Sequence, residues 1–160
     1  MDDETEIILP SVTVKGGLPQ IKLSRSKKYV RMLKKQKAIP VKKTPEAVAI
    51  AKKILEHELV EVCIALYLDN QNNLICWHEV SRGTVNTAIA HQRETFAAAI
   101  AVRAVSIIFA HNHLTNNTNP STDDNKLTEV LVKAGETIGI PVVDRIIVSH
   151  SGSYSFFRKP

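Results

Sequence analysis

Apolar and polar positions along the 160-residue chain change period several times, and each change marks an element. From Thr44 the apolar residues recur at helical spacing, with Val48, Ala51, Ile54 and Leu55 on one face. Thr44 reads as the N-cap, Pro45 as the first helical position and Glu46 as a first-turn acid. Leu59 to Leu68 is dense in β-forming residues, Asp69-Asn70-Gln71-Asn72-Asn73 is a turn, and Leu74 to Val80 is the returning strand of a hairpin. Ser81-Arg82-Gly83-Thr84 interrupts the pattern. A second helix is predicted over Ala88 to Ala104, and a third over Thr122 to Ile138 with Gly139 as its stop. Between them, the run from Val105 to Ala110 is short and continuously apolar, as a buried strand is. Val142 to Ser149 is a further strand, and Tyr154 to Phe157 can pair beside it across Ser151-Gly152. The order predicts an α/β sandwich on a mixed sheet, with no internal repeat.

The amino-terminal segment follows other rules. A β-like stretch covers Glu6 to Val14, a turn follows at Gly16-Gly17-Leu18-Pro19, and a basic segment from Ser24 to Lys37 has helical potential. Its apolar positions Tyr29, Val30 and Leu33 make only a narrow stripe. Residues 1–43 are therefore read as a basic arm, partly ordered at most, and residues 44–160 as the folded domain.

Charge sharpens this division. Between Lys15 and Lys43 there are eleven Lys or Arg and no Asp or Glu; from Thr44 onward there are ten against twelve. The formal net charge of +5 thus belongs to the arm. Lys27, Lys28, Arg31, Lys34 and Lys35 are its candidate contacts to nucleic acid or another acidic partner, through counterion release. A solvated leader is an equally good reading. No apolar run is long enough for a membrane span, and no stretch has the build of a signal peptide, so a cytoplasmic protein without membrane attachment is expected. The two cysteines, Cys63 and Cys76, lack paired metal-ligand spacing and fall in the two strands of the hairpin, where strand pairing can bring them near each other. They are best read as small buried hydrophobes.

The chemistry concentrates after the buried strand. His111 and His113 stand at its carboxyl end, two residues apart, so both imidazoles leave on one face. Ser121-Thr122-Asp123-Asp124 then opens the third helix, and its first turn carries Asp124 back toward the strand end. Two nitrogens and one oxygen converging from rigid elements suit a zinc ion with one position left open. The same Ser121-x-x-Asp124 is also a helix capping box, and both readings can hold together. His57, His78, His91 and His150 have no ligand spacing to this set, and Trp77 reads as hairpin packing.

H-x-H, seven residues, then S-x-x-D resembles the signature of JAB/MPN (JAMM) metalloprotease-like domains. Gly83-Thr84-Val85-Asn86, His91-Gln92-Arg93-Glu94-Thr95-Phe96, Asp144-Arg145-Ile146-Ile147-Val148 and Tyr154-Ser155-Phe156 narrow the likeness to the RadC-like branch, over roughly Thr44 to Phe157. The resemblance implies the JAB/MPN fold, a cytidine-deaminase-like α-β-α sandwich around a mixed sheet. It also implies bound zinc, a peptide or isopeptide substrate, and relatives described as DNA repair proteins. The chain departs from the family pattern at Leu114-Thr115-Asn116, where Pro-Ser-Gly is usual, and at Arg145, where His is usual. The helix-hairpin-helix region of full-length RadC has no counterpart in these residues.

The resemblance further points to Glu61, eight residues before Asp69, as the base that takes a proton from the attacking water. A glutamate in an apolar strand is costly unless it is paired or functional, and the alternative reading is a strand-edge residue facing solvent. Glu94 is the competitor, more readily a structural ion pair or a residue that orients a ligand. Ser121 is the expected donor to the oxyanion. Two rivals to hydrolysis are a zinc-containing interaction module and a nuclease. The latter is disfavoured, because a contiguous His-Asn-His is not the ββα-metal motif of HNH enzymes.

Overall fold

The computed structural model describes residues 8–15, 18–25, 37–83 and 92–157, and they fall into two compact units, Met1–Ala38 and Ile39–Pro160. In the first unit, β1 (Ile8–Lys15) pairs antiparallel with β2 (Leu18–Arg25), in register from Ile8 opposite Arg25 to Lys15 opposite Leu18. A strand pair therefore replaces the single β-like stretch read from the sequence. Leu18 and Pro19 belong to a strand rather than a turn, because Ile21 and Leu23 alternate with Lys22 and Ser24 at strand period. The predicted helix loses Ser24 and Arg25 to β2, and residues 26–36, with Lys27, Lys28, Arg31, Lys34 and Lys35, lie outside the described residues.

The second unit begins before the Thr44 helix. Val41 N–H donates to Asn72 at 2.8 Å, Leu74 N–H donates to Ile39 at 2.8 Å, and Val41 is buried in the core. Residues 39–43 thus belong with the fold rather than with the basic arm. Helix α1 (Thr44–Leu55) follows, capped one residue earlier than expected, at Lys43. The Glu46 carboxylate accepts the N–H groups of Lys42 and Lys43 at 2.6 and 2.9 Å, which satisfies donors the helix leaves free. Ala47, Ala51 and Leu55 turn inward.

Five strands make one sheet in the order β4-β3-β5-β6-β7: β3 (Glu61–Leu68), β4 (Leu74–Gly83), β5 (Ser106–Asn112), β6 (Val142–Val148) and β7 (Ser153–Ser155). All neighbours are antiparallel except β5 and β6, which are parallel and joined through helix α3 (Thr122–Ile138). Helix α2 (Gln92–Ala101) precedes β5, and residues 84–91 lie outside the described residues.

Strand β4 continues through Ser81 to Gly83 rather than stopping at Val80. Those residues pair with Cys63, Val62 and Glu61, after a register shift between Cys63 and Ile64 that absorbs the irregularity seen in the sequence. Helix α3 ends at Gly139, whose φ of 80° is the left-handed conformation a helix stop favours.

Each face of the sheet carries its own core. Val62, Ile64, Leu66 and Leu68 pack with Ile108, Ala110, Ile146 and Val148 under α1. Cys63, Ala65 and Tyr67 pack with Ile107 and Phe109 under Phe96 and Ala99 of α2 and Leu131 of α3. Helices therefore cover both faces, giving the α-β-α sandwich. Burial on both sides explains why β3 and β5 are continuous apolar runs instead of alternating ones. The cysteines are not neighbours: Cys63 lies opposite Ser81 and His111, Cys76 opposite Tyr67, four positions along β3. Burial pushes both thiols up to about 11.

Candidate metal centre

The alternation of β5 builds the site. Ile107, Phe109 and His111 face α2 and α3, whereas Ile108, Ala110 and Asn112 face the α1 side. His113 follows the strand and extends its pairing, its N–H donating to Val148 at 2.9 Å, so its ring joins that of His111. The two Nε2 atoms lie 3.1 Å apart, with the rings edge to face.

Asp124 reaches the same point from the first turn of α3. Its Oδ1 lies 3.0 Å from His111 Nε2, and its Oδ2 lies 3.4 Å from His113 Nε2. Each of the three residues offers one ligand atom, all within 4.8 Å of one another, and they form the only such cluster of three or more among the described residues. His111 is buried and His113 and Asp124 are partly buried.

A hydrogen bond to the main chain orients His113. His113 Nδ1 lies 2.8 Å from the Asn117 carbonyl oxygen, which can only accept. Nδ1 is therefore the donor of this bond, which leaves Nε2 as the ring nitrogen that can offer a lone pair to the cluster. Burial lowers the pKa of His111, partly opposed by its bond to Asp124. Burial works against the charged form of Asp124, but the bonds from His111 and Ser121 prevail and hold its carboxyl far below the usual carboxylate range. Two imidazoles and one carboxylate result, a donor set that could hold a metal ion.

The capping box read from the sequence is present. Ser121 Oγ accepts Asp124 N–H at 3.0 Å, and Asp124 Oδ2 accepts the Ser121 N–H and hydroxyl at 2.9 and 2.7 Å. The motif that starts the helix also sets the rotamer of Asp124.

Glu61 opens β3 on the cluster side of the sheet. It lines a cleft of about 620 Å³ together with His111, His113, Ser121, Asp124 and Arg145. Burial raises its pKa, His113 draws it down and Asp124 pushes it up. Glu94 takes another position: it pairs with Arg93 at 3.0 Å on the exposed side of α2 and is not among the cleft's lining residues. Gln92, at the start of the same helix, does line the cleft.

Two residues of this neighbourhood escaped the sequence reading. Asn112, the middle letter of His-Asn-His, accepts Val62 N–H at 2.7 Å and donates to the Val60 carbonyl at 3.0 Å, bracketing Glu61. Its signal was its position: a polar residue facing the α1 core must find partners. Arg145 is 2 % exposed on β6, and its Nη2 donates to Asp124 Oδ1 at 2.9 Å. The departure from the family pattern at this position was visible, but its contact was not.

The family model for the RadC-like JAB domain matches residues 41–160. This chain belongs to that family. Relatives bearing the name UPF0758 protein include one from Finegoldia magna, 45 % identical over 96 residues, which are 60 % of this chain and 43 % of that protein. One from Trichlorobacter lovleyi is 40 % identical over 96 residues, 60 % of this chain and 42 % of the relative. Another, from Haemophilus influenzae (strain PittEE), is 36 % identical over 149 residues, 90 % of this chain and 67 % of its own length. The matches to the first relatives cover less than half of their length. The mixed five-stranded sheet agrees with the JAB/MPN fold, and no helix among the described residues is long and apolar enough to cross a membrane.

Proposed function

We propose that this RadC-like JAB domain is a zinc-dependent hydrolase of JAMM type, acting on an amide or isopeptide bond in the cytoplasm. The observation that carries the reading is the convergence of His111, His113 and Asp124 donor atoms beside Glu61 in one cleft. The residues fit the ion: His113 donates through Nδ1, which leaves Nε2 for the cluster, and three N/O donors are the number a catalytic zinc site takes from protein. His111, His113 and Asp124 would hold the zinc, which when bound supplies Lewis acidity toward water and a carbonyl oxygen.

The other steps fall to the chain's own groups. Glu61 accepts the proton of the attacking water and returns it to the leaving amine, and partial burial makes its carboxylate a better base than an exposed one. Asn112 fixes the backbone on either side of Glu61 and so holds the carboxylate over the cleft. Ser121 donates to the oxyanion, which requires its hydroxyl to turn away from Asp124 Oδ2.

The test is hydrolysis of amide and isopeptide substrates by zinc-loaded protein and its Glu61→Gln variant. Activity in the parent that is lost in the variant supports the proposal. A zinc-loaded parent inert toward both substrate classes would leave a zinc-containing interaction module in its place.

A second reading concerns the amino-terminal segment. Eleven basic residues without an acid between Lys15 and Lys43 favour a polyanion contact there, with nucleic acid or an acidic partner. Binding to duplex DNA that weakens steeply with salt and disappears with residues 1–38 would support it. Salt-independent binding retained by residues 39–160 would oppose it.

A further inference from the structure

We propose that Arg145 is the positioning residue of Asp124, holding that carboxylate in the orientation in which it serves a metal ion. The inference rests on the metal site proposed above and adds a residue that neither the ligand motif nor the family pattern supplies.

The guanidinium grips Asp124 at two levels. Nη2 donates to the carboxylate Oδ1 at 2.9 Å, and Nη1 donates to the Asp124 backbone carbonyl. Nη1 also donates to Thr128 Oγ1 at 2.6 Å, and that hydroxyl in turn donates to the Asp124 carbonyl at 2.6 Å. One planar fork on β6 therefore fixes the main chain and the side chain of the first turn of α3. The guanidinium carbon also lies over the Phe156 ring, 5.3 Å from its centre.

The remaining carboxylate oxygen is held independently by the N–H and hydroxyl of Ser121. Asp124 thus has a separate anchor on each oxygen, and its carboxyl plane is set before any ion arrives. Orientation of a metal-binding carboxylate by hydrogen bonds from outside the ligand set is a general means of raising metal affinity.

The choice of arginine follows from geometry. A lysine ammonium on a flexible stem is a point donor and cannot span a carboxylate, a carbonyl and a hydroxyl that lie in one fan. Burial enforces the same arrangement from the other side: a guanidinium this deep needs a counter-charge, and Asp124 is the only carboxylate paired with it among the described residues. The positive charge is the cost of the device, since it stands close to where a cation would bind. The proposal is that orientation outweighs this repulsion.

Zinc affinity by competition with a chromophoric chelator, and the visible spectrum of the cobalt-substituted protein, test it in the parent, Arg145→Lys and Thr128→Val. Arg145→Lys keeps the charge and breaks the fork. It should lose zinc affinity by about 10- to 100-fold and weaken the intense absorption of four-coordinate cobalt. Thr128→Val keeps shape and every ligand, and should move both readouts the same way by a smaller factor. It carries the test alone if the lysine variant does not fold. An Arg145 that only tied α3 to β6 would alter melting while leaving affinity and the cobalt spectrum unchanged in folded protein, and that result would overturn the proposal. Tighter zinc binding in either variant would overturn it too, by showing that repulsion dominates. A parent that binds no zinc would defeat the metal site and this inference together, whereas a parent that binds zinc with both variants unaltered defeats this inference alone.

Discussion

Asn112 holds Glu61 by its backbone: the amide side chain bonds Val62 N–H at 2.7 Å and the Val60 carbonyl at 3.0 Å, one on each side of the glutamate. The strand alternation divides the His-Asn-His run between two tasks. His111 and His113 face the cleft, and the residue between them faces away and secures the neighbouring strand. Asn112→Ala should destabilise the fold by about 1–3 kcal/mol, because the buried Val62 N–H loses its partner. Hydrolysis should fall further than zinc content as Glu61 loses its fixed position. Denaturant unfolding with metal analysis checks this, and unchanged stability would show that the bracket is dispensable.

Glu61→Gln should keep shape and zinc while lowering hydrolysis at least about 100-fold, the usual contribution of a general base. Glu94→Gln should change turnover little, since Glu94 pairs with Arg93 away from the cleft. The reverse ranking would exchange the two roles. The pH dependence has a definite sign. Burial raises the Glu61 pKa in the metal-free protein, so its contribution to stability is complete at pH below the ordinary carboxylate range and is lost as pH rises through the raised value. Zinc nearby should draw that pKa down, because a cation favours the carboxylate. Carbon-detected NMR titration of the Glu61 carboxyl with and without zinc measures both, and an upward shift on adding zinc would contradict the placement.

Truncation should separate two boundaries. A chain starting at Ile39 retains Val41 in the core and the Ile39 and Val41 bonds to the Asn72–Leu74 segment, and should fold and keep its metal. One starting at Thr44 loses Val41 and the cap at Lys43, which should cost about 1.5–3 kcal/mol for the buried valine alone. Thermal melting of the two chains compares them. Equal stability would return residues 39–43 to the arm.

The contrast between legible and illegible features has a physical basis. Helix α3 could be read to its ends because Ser121 and Gly139 are local signals at either terminus. The histidine pair was legible because strand period places i and i+2 on one face. The β1–β2 pairing is local, since β1 ends at Lys15 and β2 begins at Leu18, and the alternation in β2 was its signal. The continuation of β4 to Gly83 and the role of Val41 depend on partners distant in sequence, which local pattern does not carry. Asn112 and Arg145 were hidden for the same reason: each acts on a different element from its own. Glu94, prominent in its motif, turns outward on α2 once the helix is oriented by Thr95, Phe96 and Ala99.

Metal content is the most direct test of the central claim, that His111, His113 and Asp124 make one zinc site. Metal-free protein titrated with zinc should bind about one ion per chain, and His111→Ala, His113→Ala and Asp124→Ala should each abolish that binding or weaken it greatly. Uptake of another divalent ion by the same three residues would still support the site, since N/O donor sets accept several. Stoichiometric zinc retained at undiminished affinity by all three variants would contradict it.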